Sequence, residues 1–111
     1  MIAGIYVVSF TSASASFGEG IVVLKDGFIN GADLTYFYRG TFDDRGDQMK
    51  ASVEVKHYKG PVNNILGPFT QFVLSLSGKR SGDNFVLTGS IENMPGAMIE
   101  IIGTKIADIS G

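Results

Sequence analysis

The stretches YRGTFDDRGDQMKASV, residues 38–53, and LSLSGKRSGDNFVLTG, residues 74–89, repeat one pattern. In each of them apolar and polar residues alternate, a Gly-Asp pair interrupts the alternation, and the alternation then resumes. A period of two is typical of a strand with one buried face, and a two-residue Gly-Asp link is typical of an antiparallel hairpin. The sequence therefore predicts two hairpins, which turn at Gly46-Asp47 and at Gly82-Asp83.

The same alternation continues through the rest of the chain and predicts eight strands. The expected strands are Gly4–Phe10, Phe17–Lys25, Phe28–Gly31, Leu34–Phe42, Gln48–Tyr58, Phe69–Gly78, Asn84–Glu92 and Ala97–Ile106. Because the links are short, consecutive strands are expected to pair in an up-and-down meander, and closure of that meander removes its unpaired edges. We predict an all-β, eight-stranded antiparallel up-and-down barrel that forms a single domain over residues 1–111.

Glycine, proline and asparagine mark several of the links between these strands. Asp26-Gly27 predicts a tight corner after the second strand, and Asn30-Gly31 and Pro95-Gly96 predict further turns. The longest link has Gly-Pro steps at both ends, and its segment Pro61–Leu66 is the one place where a short helical turn is expected. The apolar residues of this link are expected to plug one end of the barrel.

Composition excludes several classes of function. The chain has no cysteine, so it forms neither disulfides nor thiolate metal sites. Its formal net charge is −2 and it contains no run of Lys or Arg, whereas neutralising nucleic-acid phosphates requires a basic surface. We therefore expect no direct nucleic-acid binding and no cofactor.

The amino-terminal segment is apolar, as a leader peptide would be. It lacks the positively charged start of a secretory signal, since the first basic residue is Lys25. The apolar run at residues 5–10 is also too short to span a membrane. We expect this segment to be the first strand of a cytoplasmic protein.

Side-chain alternation places many aromatic residues inside the barrel. An eight-stranded barrel is just wide enough to be filled by side chains or to hold one small ligand. A filled core is the favoured interpretation, and a cavity for a lipid or another small hydrophobic molecule is the alternative. The residues expected to line such a cavity are Tyr6, Tyr36, Tyr38, Phe42, Phe72 and Phe85.

The opposite parity leaves large apolar residues pointing outward. In a closed meander the last strand pairs with the first, so these residues would gather on one side of the barrel. An apolar surface of that kind usually marks an interface, and a twofold dimer is the commonest arrangement. The residues expected to form a homodimer interface are Ile5, Val7, Ile21, Val23, Met98 and Ile102.

Catalytic residues are not indicated by the sequence. His57 is the only histidine, and it lies at the end of an inward-facing row without a base partner on the same face. The one concentration of carboxylates, Asp43, Asp44 and Asp47, falls in a turn expected to be solvated. We therefore expect a protein that is not an enzyme and holds no metal.

Several segments resemble sequences of the GrlR-like family, whose members are negative regulators of type III secretion. The similar segments are residues 4–6 with Phe10, 17–23, 25–27, 31–33 and 38–40. The resemblance implies a lipocalin-like barrel, a homodimer, and regulation through sequestration of a transcriptional activator instead of DNA binding. It also implies that the barrel can bind a hydrophobic or lipid molecule.

In that family an acidic loop after the fourth strand is ascribed the contact with the partner protein. The matching positions here read Asp43-Asp44-Arg45-Gly46-Asp47. The resemblance thus assigns partner binding to Asp43, Asp44 and Asp47, although Arg45 and Gly46 interrupt the acidic run. Because charge complementarity sets partner choice and association rate, this interruption bears on which partner is bound.

Overall fold

A computed structural model, described for residues 3–12, 17–62, 66 and 69–110, is a closed antiparallel barrel. Each strand pairs with the next in sequence, and β8 pairs with β1, so the prediction of an eight-stranded up-and-down barrel is confirmed. The strands are β1 Gly4–Ser12, β2 Phe17–Lys25, β3 Phe28–Ala32, β4 Tyr36–Arg45, β5 Gln48–His57, β6 Gln71–Ser81, β7 Asn84–Ile91 and β8 Met94–Ala107.

Both hairpins predicted from the repeated pattern are present. Gly46-Asp47 joins β4 to β5, and Gly82-Asp83 joins β6 to β7, with each glycine at positive φ, 75° and 59°. Asp26-Gly27 makes the corner between β2 and β3 with φ of 53° and 84°, as a two-residue hairpin turn requires. These three turns lie at one end of the barrel, which we call the hairpin end; the opposite end is the open end.

Two turn predictions were wrong. Asn30-Gly31 lies within β3, and Pro95-Gly96 lies within β8. The chain turns instead at Glu92-Asn93, where Asn93 adopts a φ of 68°, a conformation that asparagine tolerates better than most residues. The register between β7 and β8 shifts beside this turn, and the shift lets Pro95 enter a strand.

The link between β5 and β6 is only partly described. Residues 63–65 and 67–68 lie outside the described residues, and with them half of the expected helical turn and Ile65 of the expected plug. Leu66 packs against the core, whereas Val62 is exposed. Within the described residues there is no helix long and apolar enough to cross a membrane.

One cluster of alternate side chains from all eight strands forms the core. Its largest fully buried members are Tyr6, Tyr36, Leu24 and Met49. Ile29 also belongs to this cluster, although its strand is so short that the sequence pattern did not assign it a face. Burying such side chains contributes about 1.5–3 kcal/mol each relative to leaving them exposed, so this interior is the main source of stability.

Four inward-facing glycines allow neighbouring strands to approach closely. A Cβ atom at Gly40 or Gly78 would lie 2.0 Å or 1.9 Å from a carbonyl oxygen of the adjacent strand. At Gly89 the same distance would be 1.9 Å, whereas a Cβ at Gly103 would meet the Phe85 ring at 2.2 Å. The first three glycines mark the places where the sheet bends sharply enough to close.

Candidate functional site

The interior of the barrel is not completely filled. A cavity of about 300 Å³ runs from the hairpin end of the core, at Leu24, Met49 and Phe85, to the link between β3 and β4. Leu34 and Thr35 line the cavity and Leu34 is 83% exposed, so the cavity reaches the surface at the open end. The favoured prediction of a filled core was therefore wrong, because most of the inward side chains that surround the cavity are aliphatic and smaller than the aromatic rings on which that prediction relied.

Four of the six residues predicted to line a cavity do so, namely Tyr36, Tyr38, Phe72 and Phe85. Tyr6 is buried but does not line the cavity, and its ring packs on Phe85 with the ring centres 5.3 Å apart. Phe42 packs against the core but is not among the lining residues. Most of the remaining lining is aliphatic: Val8, Val22, Leu24, Ile29, Val53, Val55, Leu66, Leu74, Leu76, Leu87, Ile99 and Ile101.

Asp33 organises the rim of the cavity. Its Oδ1 accepts hydrogen bonds from the backbone N–H groups of Thr35 at 2.9 Å and Tyr36 at 2.8 Å. Its Oδ2 accepts a hydrogen bond from the hydroxyl of Tyr38. An aspartate that accepts from the backbone two and three residues later is a common way to close a turn, so Asp33 holds the link between β3 and β4 against the barrel.

Tyr38 is a buried polar side chain that lines the cavity at this rim. Its hydroxyl lies over Gly20, where an added Cβ would come within 2.8 Å of the hydroxyl oxygen. The edge of its ring contacts Phe10, with ring centres 6.1 Å apart. Burial, together with the hydrogen bond to the Asp33 carboxylate and its charge, raises the pKa of Tyr38 well above the ordinary tyrosine value.

Because the pKa of Tyr38 is raised, alkaline titration tests whether Tyr38 is buried and bonded to Asp33 at the rim. A phenol whose pKa is raised in the folded state contributes stability that is complete below the unfolded pKa of about 10 and decreases as the pH rises above that value. We expect Tyr38 to ionise only when the protein unfolds, so that it contributes a late phase to the rise of tyrosinate absorbance with pH. Tyr38→Phe is expected to reduce that late phase. A late phase unchanged by Tyr38→Phe would contradict the assignment.

The three aspartates assigned to partner binding do not converge. Asp44 points into the hairpin end, where its Oδ1 lies 3.5 Å from Nε of Arg80; these side chains are 14% and 24% exposed. Asp43 is exposed and forms an ion pair with the exposed Arg45 at 2.9 Å. Asp47 lies at the turn and is exposed. Only Asp43 and Asp47 are therefore accessible, and Arg45 offsets part of their charge.

The outward apolar residues are largely brought together by the pairing of β1 with β2 and β8. Ile5 lies opposite Val23, Val7 lies opposite Ile21, and Ile102 lies diagonal to Val7 on β8. These five residues form what we call the outer strip. Met98 does not extend it, because the outward-facing Glu100 lies between Met98 and Ile102 on the same strand.

His57 lies beside the open end but takes part in local structure. Its Nε2 is 2.7 Å from the carbonyl oxygen of Gly60, and its ring contacts the edge of Tyr36. Glu54, three residues earlier, accepts hydrogen bonds from Arg39 and Gln71, both at 2.7 Å, which lower its pKa. Among the described residues, no group of three or more His, Asp and Glu side chains could hold a metal ion.

The fold and the cavity place this protein among closed antiparallel β-barrels that have one partly open interior. None of the known family models matches the sequence, and no curated protein matches it either.

Proposed function

We propose that this protein is a non-enzymatic, cytoplasmic regulator of the GrlR type, which forms a homodimer and sequesters a transcriptional activator. The observation that carries the proposal is the outer strip, an apolar surface on a barrel in which every strand is paired. Such a surface favours association through side chains because no strand edge is available for pairing. The family resemblance supplies the identity of the partner class.

The outer strip is the proposed twofold interface. Ile21 is 42% exposed and lies opposite Val7 near its centre, so Ile21→Glu would bury a charge in the dimer contact. Size-exclusion chromatography with light scattering is expected to give twice the 11.8 kDa mass for the native chain and the single mass for Ile21→Glu.

A matched control is available on the opposite side of the barrel. Ser52 is an exposed, outward-facing residue of β5, so Ser52→Glu introduces the same charge away from the outer strip. The Ser52→Glu variant is expected to remain a dimer. A native chain that is monomeric at high protein concentration would refute the interface.

The exposed carboxylates Asp43 and Asp47 are the proposed contact with the activator. Asp43→Asn/Asp47→Asn leaves the Asp44–Arg80 pair intact and removes the accessible negative charge. Because charge complementarity acts mainly on association, this double variant is expected to bind the activator about tenfold more weakly at low salt. The measurement is titration calorimetry with the purified activator, after its capture from cells and identification as a DNA-binding protein.

The control for this experiment neutralises two other carboxylates at the same end of the barrel. Asp26 and Asp83 lie in the neighbouring hairpin turns, and Asp26→Asn suits the positive φ of that position. The Asp26→Asn/Asp83→Asn variant is expected to bind the activator with native affinity. Equal weakening by both double variants would indicate a general charge effect and would remove Asp43 and Asp47 from the contact.

A second function, binding of a small hydrophobic molecule, is favoured by the cavity. An engineered apolar cavity of about 150 Å³ holds one benzene, so 300 Å³ has room for a molecule of about two rings. Binding pockets for small molecules are typically mostly apolar with a few placed polar groups, which matches the aliphatic interior and the Asp33–Tyr38 rim. This function is compatible with regulation, since a ligand could modulate the regulator.

Naphthalene, an uncharged two-ring hydrocarbon, tests for this function. It is expected to raise the thermal unfolding midpoint, since any ligand that binds only the folded state stabilises it. Val55 lines the cavity, so Val55→Phe is expected to abolish this shift, whereas Val86→Phe, on the outer surface of β7, is expected to retain it. Absence of a shift in the native protein, together with no co-purified molecule in native mass spectrometry, would exclude the function.

A further inference from the structure

We propose that the cavity selects an apolar molecule whose polar head donates hydrogen bonds, with an ammonium head preferred to an alcohol head. We also propose that Asp33 excludes molecules with an anionic head. This inference rests on the proposed ligand-binding function and names its ligand class. The charge distribution, the hydrogen-bonding capacity of the rim and the size of the cavity each support it.

The first argument is the charge of the lining. Among the described residues that line the cavity, the charged ones are Asp33 and Glu19, and both are acids. Of the cations on adjoining segments, Lys59 lies over the Tyr58 ring, 5.8 Å from its centre, and Arg39 is paired with Glu54 at 2.7 Å. A carboxylate or phosphate head at the rim would therefore meet two carboxylates and, among the described lining residues, no cation, and like charges repel more strongly beside an apolar interior than in water.

The second argument is the hydrogen-bonding capacity of the rim. Oδ1 of Asp33 already accepts from two backbone N–H groups, whereas Oδ2 accepts from Tyr38. A carboxylate has about four lone-pair positions, so Oδ2 retains the capacity to accept from a ligand. The Tyr38 hydroxyl donates its proton to Asp33 and presents only its oxygen lone pairs elsewhere. Both groups therefore accept hydrogen bonds and neither donates one to a ligand.

The third argument is where this acceptor pair lies. Tyr38 lies at the rim and lines the same cavity as the aliphatic side chains of the interior. A ligand that fills the interior with its apolar body would thus have its head beside Oδ2 of Asp33. The size of the cavity limits that body to about two aromatic rings or a short alkyl chain.

The test compares three probes with the same two-ring body and different heads: naphthylmethylamine, naphthylmethanol and naphthoate. Titration calorimetry of the 111-residue chain at neutral pH and low salt is expected to give affinities in that order. The amine is expected to bind at least about tenfold more tightly than naphthoate, since a charge-assisted hydrogen bond replaces a repulsion.

Asp33→Asn identifies the residue responsible. The amide keeps an oxygen that accepts from the backbone of Thr35 and Tyr36, so the turn is retained while the charge is lost. The ratio of amine to naphthoate affinity is expected to fall to within about threefold, with little change for the alcohol. Asp47→Asn, at the other end of the barrel, is expected to leave the ratio at its native value.

A second variant covers the case in which Asp33→Asn does not fold. Glu19 is exposed at the rim, so Glu19→Gln retains the fold and is expected to lower the ratio by a smaller factor. Equal binding of the three probes by the native protein, or a preference for naphthoate, would overturn the selectivity and leave the ligand-binding function standing. Failure of naphthalene and all three probes to bind would overturn both.

Discussion

Gly78→Ala is expected to lower the free energy of unfolding by about 3 kcal/mol or more, or to prevent folding, because one added methyl group cannot be accommodated. A Cβ atom at Gly78 would lie 1.9 Å from the carbonyl oxygen of Val86 and 2.9 Å from Cα of Leu87. Both of these atoms belong to the backbone of the paired strand, so relief requires β6 and β7 to separate. Urea denaturation followed by circular dichroism measures the loss.

The same substitution at Gly96 is the matched control. A Cβ there would meet nothing within 4 Å, and Gly96 is not among the glycines at positive φ. Gly96→Ala is therefore expected to be neutral, or to stabilise by up to about 0.5–1 kcal/mol through the smaller conformational freedom of the unfolded chain. Similar losses for the two variants would show that close strand approach at Gly78 does not govern stability.

Asp44→Ala is expected to lower the free energy of unfolding by about 2 kcal/mol. Removing one partner of a buried ion pair leaves the other charge uncompensated, at a cost of about 3–5 kcal/mol for full burial, and here both side chains retain some exposure. Arg80 would keep its hydrogen bond from Nη2 to the carbonyl oxygen of Gly46 at 2.9 Å. Its Nε and Oδ1 of Asp44 have no hydrogen-bond partner among the described residues, so the pair contributes mainly through charge.

Asp43 provides the control for Asp44, since it is the adjacent residue and has the opposite exposure. Its pair with Arg45 is exposed on both sides, with side-chain exposures of 57% and 81%, and such pairs contribute little. Asp43→Ala is expected to change stability by less than about 0.5 kcal/mol.

The double variant Asp44→Leu/Arg80→Met removes both charges of the pair. It is expected to be more stable than the sum of its single substitutions predicts, because no charge is left alone. If Asp43→Ala and Asp44→Ala destabilise equally, the Asp44–Arg80 contact is not the structural element proposed here. Asp44 would then return to consideration as a partner-binding residue.

Much of the fold could be predicted because apolar and polar residues alternate along a strand that has one buried face. The Gly-Asp turns at 46–47 and 82–83 were correct for the same local reason, since a two-residue hairpin link needs a residue that accepts positive φ. The turn predicted at Pro95-Gly96 was wrong because proline and glycine are also tolerated within a strand beside a register shift. Only the pairing of β7 with β8 decides between those outcomes.

The candidate site was predicted less completely than the fold. Tyr36, Tyr38, Phe72 and Phe85 were identified because parity alone places them inside the barrel. Asp33 was missed, since it lies in a link between strands where no periodic pattern applies. The available signal for Asp33 was its residue type in a link between strands, because an aspartate side chain there commonly closes a turn by accepting from the backbone a few residues later.

By itself the sequence determined the antiparallel strands, the turns at the Gly-Asp pairs and most of the inward residues, all of which depend on neighbours close in the chain. Only the tertiary structure decided that the interior keeps a cavity, that Asp33 and Tyr38 meet at its rim, and that Asp44 pairs with Arg80 instead of joining Asp43 at the surface. These outcomes depend on distances between strands far apart in sequence. Such distances are set by where the barrel bends, and no local pattern records them.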